Sequence, residues 1–338
     1  MPTKKQTTVQ DKVVFSAIKP TGGLTLGNYL GALQNFGKLA SNNKCIYAVA
    51  DLHSLTVDNV AAELRHNSLC TAAMMLASGL DKGDSTVFVQ SHVSEHSQLA
   101  WVLNCFTQFG EARRMTQFKD KSKGKNAAGI NLGLFSYPSL MAADILLYNA
   151  EAVPIGDDQK QHLELARTIA ERFNNRYSPT FVVPEGFVPS IGARVYSLAD
   201  PSVKMSKTDT NPASYILMTD DTDTIVSKFR RAVTDSGSDI IFDRKNKPGI
   251  SNLITILAAC SGKTVKAVES ECKGLSYADF KTVVAQAADA TLAPIRDEYK
   301  RLMADKEYVQ NKLAAGADSV RHTAVKTMSK VYRRVGLR

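Results

Sequence analysis

Short apolar segments alternate with helical patterns along the first two thirds of the chain. Runs rich in β-branched and aromatic residues predict buried strands at residues 13–17, 45–50, 86–90, 153–155 and 181–183. Apolar residues recur at helical spacing from Leu26 to Phe36, and further helices are predicted over 59–78, around 99–106 and over 158–174. Asp58 is a candidate cap for the first of these. Strands that alternate with helices indicate an α/β fold, a doubly wound parallel sheet whose ligands bind at the carboxyl ends of the strands.

The pattern changes to purely helical after about residue 211. Helices are predicted over 224–232, 250–260, 265–271 and 277–305. A capping box formed by Ser276 and Asp279 marks the start of the last one. We therefore expect a catalytic domain over 1–211, with the first ten or so residues loosely held, and a smaller all-helical domain over 212–338. The C-terminal helix is expected to pack back on the catalytic domain.

Composition and charge narrow the class of protein. Apolar residues make up 44% and charged residues 22%, as in a globular domain, and the net charge of +9 favours a polyanionic partner such as RNA.

The five cysteines form no CxxC pair, which argues against a disulfide framework and against a zinc or iron–sulfur site. No apolar stretch approaches the roughly 18 to 20 residues of a membrane span, and the polar opening lacks a signal-peptide core. A cytoplasmic protein without a membrane partner is expected.

A glycine-rich segment, KPTGGLTLGNYLGAL, runs from Lys19 to Leu33 between the first strand and the first helix. Its glycines keep the backbone free of side chains, so a nucleotide could lie against it and against the amino end of the helix. An ordinary strand-to-helix turn explains the spacing equally well. The pattern matches neither the dinucleotide fingerprint nor the P-loop.

A second segment, DPSVKMSKT, covers residues 200–208 and places Lys204 and Lys207 three residues apart. Two ammonium groups on a mobile loop could stabilise charge that develops on transferred phosphates. A solvated basic loop is the commoner interpretation of such a segment.

A histidine-rich string and a carboxylate in an apolar segment are two further candidates for functional residues. The string His92-x-x-Glu95-His96 matches an inverted zinc-protease motif, but it directly follows a predicted strand, and no third ligand is evident, so we predict no metal site. Asp144 lies in the apolar helical segment 140–148, where an unpaired carboxylate is costly. From the residues alone, a nearby lysine or a backbone amide is the favoured partner.

The motifs together resemble the class I aminoacyl-tRNA synthetases. TLGN at residues 25–28 is similar to their HIGH signature, and KMSKT at 204–208 is similar to their KMSKS loop. The phrase PTGGLTLGNYLGAL resembles the bacterial-type tryptophanyl enzymes specifically, as do RMTQFKDK at 114–121, YPSLMAADILLY at 137–148 and GDDQKQHLEL at 156–165. The resemblance implies a Rossmann-like catalytic domain and a helical domain that reads the anticodon.

Carried over position by position, the resemblance implies an ATP site. Catalytic roles fall to Lys204, Lys207, Lys121 and to Thr25, which stands where such enzymes often place a histidine. The implied ATP-binding residues are Lys19, Pro20, Thr21, Gly27, Asn28, Gly156, Asp157, Asp158, Val195, Lys204, Met205, Ser206, Lys207 and Thr208. Magnesium would be held mainly by the ATP phosphates, so no protein metal site is expected.

The resemblance also implies a tryptophan site. Asp144 would accept the indole N–H, and Tyr137 and Gln159 would hold the ammonium group. The walls around the indole would be Phe15, His53, Met141, Val153 and Ile155. Lys19 departs from the glutamine common in the family, while Thr21, Thr208 and Asp157 keep the hydroxyl or carboxylate of the residues they replace.

The implied function is tryptophan–tRNA ligase activity in two steps, by way of tryptophanyl-adenylate. The alternatives are a tyrosyl-tRNA synthetase, which shares the architecture, and a non-catalytic paralogue that binds RNA or an amino acid. The two lysines of the KMSKT loop argue against the paralogue. The family further implies tRNA as a partner, a homodimer, and no DNA.

Overall fold

A computed structural model describes residues 9–122, 129–156, 159–187 and 194–337, without the side chain of Lys121. The strands are β1 (Val13–Ile18), β2 (Lys44–Val49), β3 (Ser85–Val89), β4 (Ala152–Pro154) and β5 (Glu185–Phe187). The helices are α1 (Leu26–Asn28), α2 (Gln34–Leu39), α3 (Ala61–Ala77), α4 (Glu95–Asn104), α5 (Phe109–Arg113), α6 (Thr116–Ser122), α7 (Leu132–Leu146), α8 (Lys160–Arg176), α9 (Thr222–Arg231), α10 (Pro248–Ser261), α11 (Val265–Glu271), α12 (Tyr277–Ala304) and α13 (Lys306–Val335).

The chain divides into two compact units. The first consists of Met1–Thr21, Lys38–Ser190 and Lys306–Arg338, and the second of Gly22–Gly37 and Ile191–Asp305. The boundary expected from the sequence, between residues 211 and 212, stays a prediction about folding domains. Residues 1–8, for which loose attachment is expected, lie outside the described residues.

The first unit is built on a parallel sheet with strand order β3-β2-β1-β4-β5. All of its pairings are parallel, and β1 lies in continuous register with β2, from Val13 opposite Lys44 to Ile18 opposite Val49. The chain winds outward from β1 to β3 and then returns to the other side of β1, so the winding direction reverses between β1 and β4. The predicted α/β class with a parallel sheet is confirmed, and this reversal is where such sheets open a ligand crevice.

Two local predictions about the first unit are wrong. The strand expected at 181–183 is absent, and the pairing strand is β5, because the side chain of Asn174 bonds both backbone groups of Phe181. Helix α3 begins at Ala61, with Val60 at the cap position instead of Asp58. The side-chain amide of Asn59 donates to carbonyls of the preceding turn, which delays the start of the helix.

The C-terminal helix α13 packs within the first unit against β3, α3 and α4. Its closest approach is at Gly316, where a Cβ atom would overlap the carbonyl oxygen of Val87 in β3. Only glycine fits there, because the obstacle is backbone that cannot move aside. Arg321 adds a bond from its guanidinium to the carbonyl of His92, 2.9 Å away.

The second unit is a helical assembly around α9, α10 and α12. Phe229, Ile254 and Phe280, one from each helix, are fully buried. The predicted cap is present at the start of α12, where the Ser276 hydroxyl accepts from the backbone N–H of Asp279. The Asp279 carboxylate accepts from this hydroxyl, and this bond takes the place of the reciprocal backbone bond that defines a capping box. Among the described residues of the whole chain, no helix combines the length and apolarity needed to cross a membrane.

Candidate active site

A cavity of about 310 Å³ lies in the first unit at the carboxyl ends of β1 and β4. It contains every residue that the resemblance assigns to tryptophan, namely Phe15, His53, Tyr137, Met141, Asp144, Val153, Ile155 and Gln159. Lys19, assigned to ATP, also lines it. The remaining lining residues, which the sequence does not single out, are Ser16, Ala17, Ala50, Thr56, Gln117, Ile145 and Pro154.

Helix α7 supplies the polar floor of this cavity. Tyr137, Met141 and Asp144 follow one another at intervals of four and three residues, which places them on one face of the helix. The strands supply apolar walls, with Phe15 on β1 and Val153 on β4 almost fully buried. The cavity therefore suits a planar apolar group with one polar edge.

Asp144 is the buried charge of the cavity, with only 2% of its surface exposed. One carboxylate oxygen accepts from Gln90 Nε2 at 2.6 Å and faces His96 Nδ1 at 2.7 Å. The other oxygen lies 2.8 Å from Nε2 of His53. The partners of Asp144 are therefore Gln90, His96 and His53. They are not the nearby lysine or backbone amide expected from the sequence without the resemblance.

The pKa of Asp144 is set by two opposing effects. Burial raises it, but the bonds and charges of His53 and His96 outweigh burial and lower the pKa to about 2. The carboxylate is therefore ionised at neutral pH, although only 2% of its surface is exposed. An ionised acceptor facing a cavity can form a charge-assisted bond with an incoming N–H group.

Gln90 and His96 are the residues that sequence reasoning missed. Both are fully buried, and His96 belongs to the string set aside as a metal motif. Their contacts with Asp144 join positions 54 and 48 residues apart. A signal did exist, because Gln90 directly follows β3, and the carboxyl ends of parallel strands face the ligand crevice.

Tyr137 forms a hydrogen bond with a further histidine, His162. Its hydroxyl lies 2.6 Å from Nε2 of the buried His162 on α8, and burial raises the pKa of Tyr137 to about 12. The phenol is therefore neutral throughout the physiological range. Its oxygen can act as an acceptor for a cationic group in the cavity.

The second unit holds the glycine-rich segment from Gly22 onward and the KMSKT loop. A Cβ atom at Gly27 would lie 3.5 Å from the Cβ atoms of both Val195 and Met205, so these three predicted ATP residues come together. The chain turns back over 197–203, and an antiparallel bridge joins Tyr196 and Lys204.

Thr25, assigned a catalytic role, caps the first helical turn. Its hydroxyl lies 3.0 Å from Oδ1 of Asn28 and accepts from the Asn28 backbone N–H at 3.2 Å. Thr25 is 1% exposed, while Asn28 is exposed. The cap fixes the amino end of a helix, the kind of site that binds phosphates.

In the KMSKT loop, the hydroxyls of Ser206 and Thr208 lie 2.8 Å apart. Lys204 is exposed, whereas Lys207 is partly buried, and this burial lowers the pKa of its ammonium group. The loop thus presents one exposed and one partly buried cation. A desolvated cation interacts more strongly with phosphate charge.

Comparison with known proteins decides the family. The family model "tRNA synthetases class I (W and Y)" matches residues 8–293. The chain belongs to this family. A tryptophan–tRNA ligase of Clostridium tetani is 49% identical over 325 residues, covering 96% of each chain. The tryptophanyl-tRNA synthetase structure from Mycoplasma pneumoniae has a TM-score of 0.88 at 35% identity, covering 97% of this chain and 99% of its own.

A second class I synthetase structure bears on the site. The tryptophanyl-tRNA synthetase of Campylobacter jejuni, solved with ADP and tryptophan, has a TM-score of 0.81 at 32% identity, covering 96% of this chain and all of its own. These relatives confirm the resemblance and the enzyme class predicted from the motifs. The tyrosyl-tRNA synthetase of Aeropyrum pernix, with a TM-score of 0.67 at 19% identity, shows a shared fold alone.

The other residues implied for the ATP site differ in their exposure. Pro20 is buried, while Thr21 and Gly156 are exposed. The side chain of Lys121, and Asp157 and Asp158 as a whole, lie outside the described residues. Within the described ranges, no group of three or more histidine, cysteine or carboxylate side chains could hold a metal ion.

Proposed function

We propose that this protein is a tryptophan–tRNA ligase that activates L-tryptophan with ATP and transfers it to the 3′ end of its tRNA. The single observation that carries the choice of amino acid is the ionised Asp144, buried among apolar walls. The near-half identity to a named tryptophan–tRNA ligase supports it independently.

The cavity would hold the amino acid by complementary chemistry. Asp144 would accept the indole N–H, and the apolar side chains of Phe15 and Val153 would cover the ring faces. Tyr137 and Gln159 would hold the ammonium group, because a neutral phenol and an amide oxygen are both acceptors. A tyrosine phenol would present a shorter ring, which suits this arrangement less well.

Activation needs little acid–base chemistry. The tryptophan carboxylate is ionised at neutral pH and would attack the α-phosphorus of Mg-ATP in line, which releases pyrophosphate. Catalysis then comes from positioning and charge stabilisation. This accounts for a candidate site rich in lysines, glycines and hydroxyls.

The ATP residues fall into groups by expected role. Gly27 and Val195 would face the adenosine, with Gly156, Asp157 and Asp158. Phosphate contacts would come from Lys121, Lys204 and Lys207. The other residues implied for ATP are Lys19, Pro20, Thr21, Thr25, Asn28, Met205, Ser206 and Thr208. The magnesium ion would arrive with ATP and remain bound mainly to its phosphates.

The remaining proposals concern partners. We expect the helical domain to read the tRNA anticodon, and we expect a cytoplasmic homodimer without a DNA or membrane partner.

Amino-acid-dependent exchange of labelled pyrophosphate into ATP tests the function directly. We expect exchange with tryptophan, none with tyrosine, and tryptophan esterified to tRNA when tRNA is added. Exchange with tyrosine alone would establish the tyrosyl alternative. No exchange, together with retained tryptophan or RNA binding, would establish the paralogue.

A further inference from the structure

A buried chain of hydrogen bonds runs from Asp144 away from the cavity. Nδ1 of His96 lies 2.7 Å from the Asp144 carboxylate, and Nε2 of the same ring lies 2.7 Å from the hydroxyl of Tyr148. His96 and Tyr148 are 0% and 2% exposed. Neither side chain lines the cavity, so this chain acts from behind its wall.

The proton positions along the chain follow from the acceptors at its ends. An ionised carboxylate can only accept, so Nδ1 of His96 must carry a proton toward Asp144. Nε2 of the ring then accepts from the Tyr148 hydroxyl when the imidazole is neutral, and donates to the phenol oxygen when the imidazole is charged. Burial, with the nearby charges of Asp144 and Glu95, raises the pKa of Tyr148, which keeps this hydroxyl protonated.

The two carboxylate oxygens of Asp144 have different surroundings. The oxygen bonded by His96 and Gln90 is enclosed by two fully buried side chains. The other oxygen meets His53, which is 15% exposed and lines the cavity. The inner pair therefore fixes the orientation of the carboxylate, and the outer oxygen faces the space where a ligand binds.

We infer that His96, oriented by Tyr148, is a positioning residue for substrate selection, which holds the Asp144 carboxylate aimed at the ring N–H of the amino acid. The inference rests on the proposed function. It assigns the selection of a ring N–H to a pair of side chains that do not touch the substrate.

The measurement that separates positioning from structural support is the ratio of two kcat/KM values in pyrophosphate exchange. For each variant, kcat/KM with tryptophan is divided by kcat/KM with the analogue in which sulfur replaces the ring N–H. A side chain that only supports the fold would lower both values together. A positioning residue changes the ratio, because only tryptophan uses the aimed oxygen.

Four variants form the experiment. His96→Leu removes both ring nitrogens and should lower the tryptophan preference by about tenfold or more. His96→Asn keeps a donor near the Nδ1 position and should recover part of the preference. Tyr148→Phe removes only the hydroxyl and should give a smaller loss. His92→Leu replaces an exposed histidine of the same segment and should match the parent.

An unchanged ratio in His96→Leu overturns the inference. If His96→Leu fails to fold, the same ratio is measured for Tyr148→Phe. A ratio in Tyr148→Phe equal to that of the parent would also overturn the inference. A parent without tryptophan-dependent exchange would mean instead that the proposed function fails.

In that last case, titration of the Asp144 carboxyl by ¹³C NMR tests the positioning alone. The ionisable groups that face this carboxyl are His53 and His96, and Gln90 is neutral. We expect the midpoint in His96→Leu to lie at least about one pH unit above that of the parent and of His92→Leu. Equal midpoints would overturn the inference.

Discussion

The Tyr137 hydroxyl lies 2.6 Å from Nε2 of His162, so the phenol that faces the cavity is oriented from outside it. Tyr137→Phe removes this bond and the proposed acceptor for the ammonium group. We expect the KM for tryptophan to rise by about tenfold, with little change in the KM for ATP. Steady-state exchange kinetics measure both. A rise in the ATP value alone would contradict the assignment.

Asp144 carries the sharpest prediction about specificity. Asp144→Ala should reduce kcat/KM for tryptophan severely, since sites in this enzyme class that bind a polar substrate group by hydrogen bonds discriminate by about ten-thousandfold or more. The variant should also lose about 2 to 4 kcal/mol of stability, because the three donors around this carboxylate would be left without an acceptor.

Asp144→Asn is the matched variant for this residue, because it keeps one acceptor oxygen and the side-chain shape. It should lose tryptophan selectivity with a smaller loss of stability in chemical denaturation. A variant that lost stability but kept full preference for tryptophan over the N–H-lacking analogue would make Asp144 a structural residue.

Lys207→Ala tests the KMSKT loop. The partly buried ammonium should interact most strongly as charge develops on the phosphates, so adenylate formation should slow by about a hundredfold to a thousandfold while tryptophan binding stays parental. Rapid-quench measurement of the first turnover gives the rate. Lys245→Ala, at an exposed lysine of the same unit, serves as the control. A parental first-turnover rate would remove the loop from the chemistry.

A basic stripe on α13 supplies a test of tRNA binding. Lys326, Lys330 and Arg334 recur every four residues, and all three are exposed. Lys330→Glu should raise the KM for tRNA and lower its logarithmic salt slope by about one, without affecting exchange. Lys306→Glu makes the same charge reversal at the other end of the helix. Identical salt slopes for parent and Lys330→Glu would favour a merely solvated face.

The pair Glu111 and Arg172 predicts a pH effect on stability. Two guanidinium nitrogens of Arg172 lie 2.6 and 3.0 Å from the two carboxylate oxygens of Glu111, and this bond lowers the Glu111 pKa. A lowered folded-state pKa contributes stability above the unfolded pKa, and the contribution disappears as pH falls through the folded value. Glu111→Gln should therefore melt below the parent at pH 7, and the two melting temperatures should converge as the pH falls through the folded-state pKa. A constant difference would show that the pair acts through packing.

Local signals in the sequence predict most of the fold. The strand at 13–17 and the helix cap at Ser276 are predicted correctly, because apolar runs and caps act over a few residues. The strand at 181–183 is not, since the side chain of Asn174 captures the backbone of Phe181. That competition depends on the packing of a preceding helix, and no short pattern records it.

The candidate site likewise contains residues that the sequence predicted and residues that it did not. All eight predicted cavity residues come from resemblance and meet in one place. Gln90 and His96 escape notice because their function depends on contacts with Asp144 across about fifty residues. In the sequence His96 belongs to a local string, whereas its surroundings are set by α7. Long-range pairing of this kind is invisible without the fold.

The contact of α13 with β3 through Gly316 has a consequence for synthesis of the protein. The ribosome makes β3 long before it makes α13, so the sheet of the first unit emerges without the helix that packs against its outer strand. An uncovered edge strand is a template for pairing with other chains. The nascent protein thus passes through a period in which association with chaperones, or with neighbouring copies on the same messenger RNA, competes with the arrival of its own last helix.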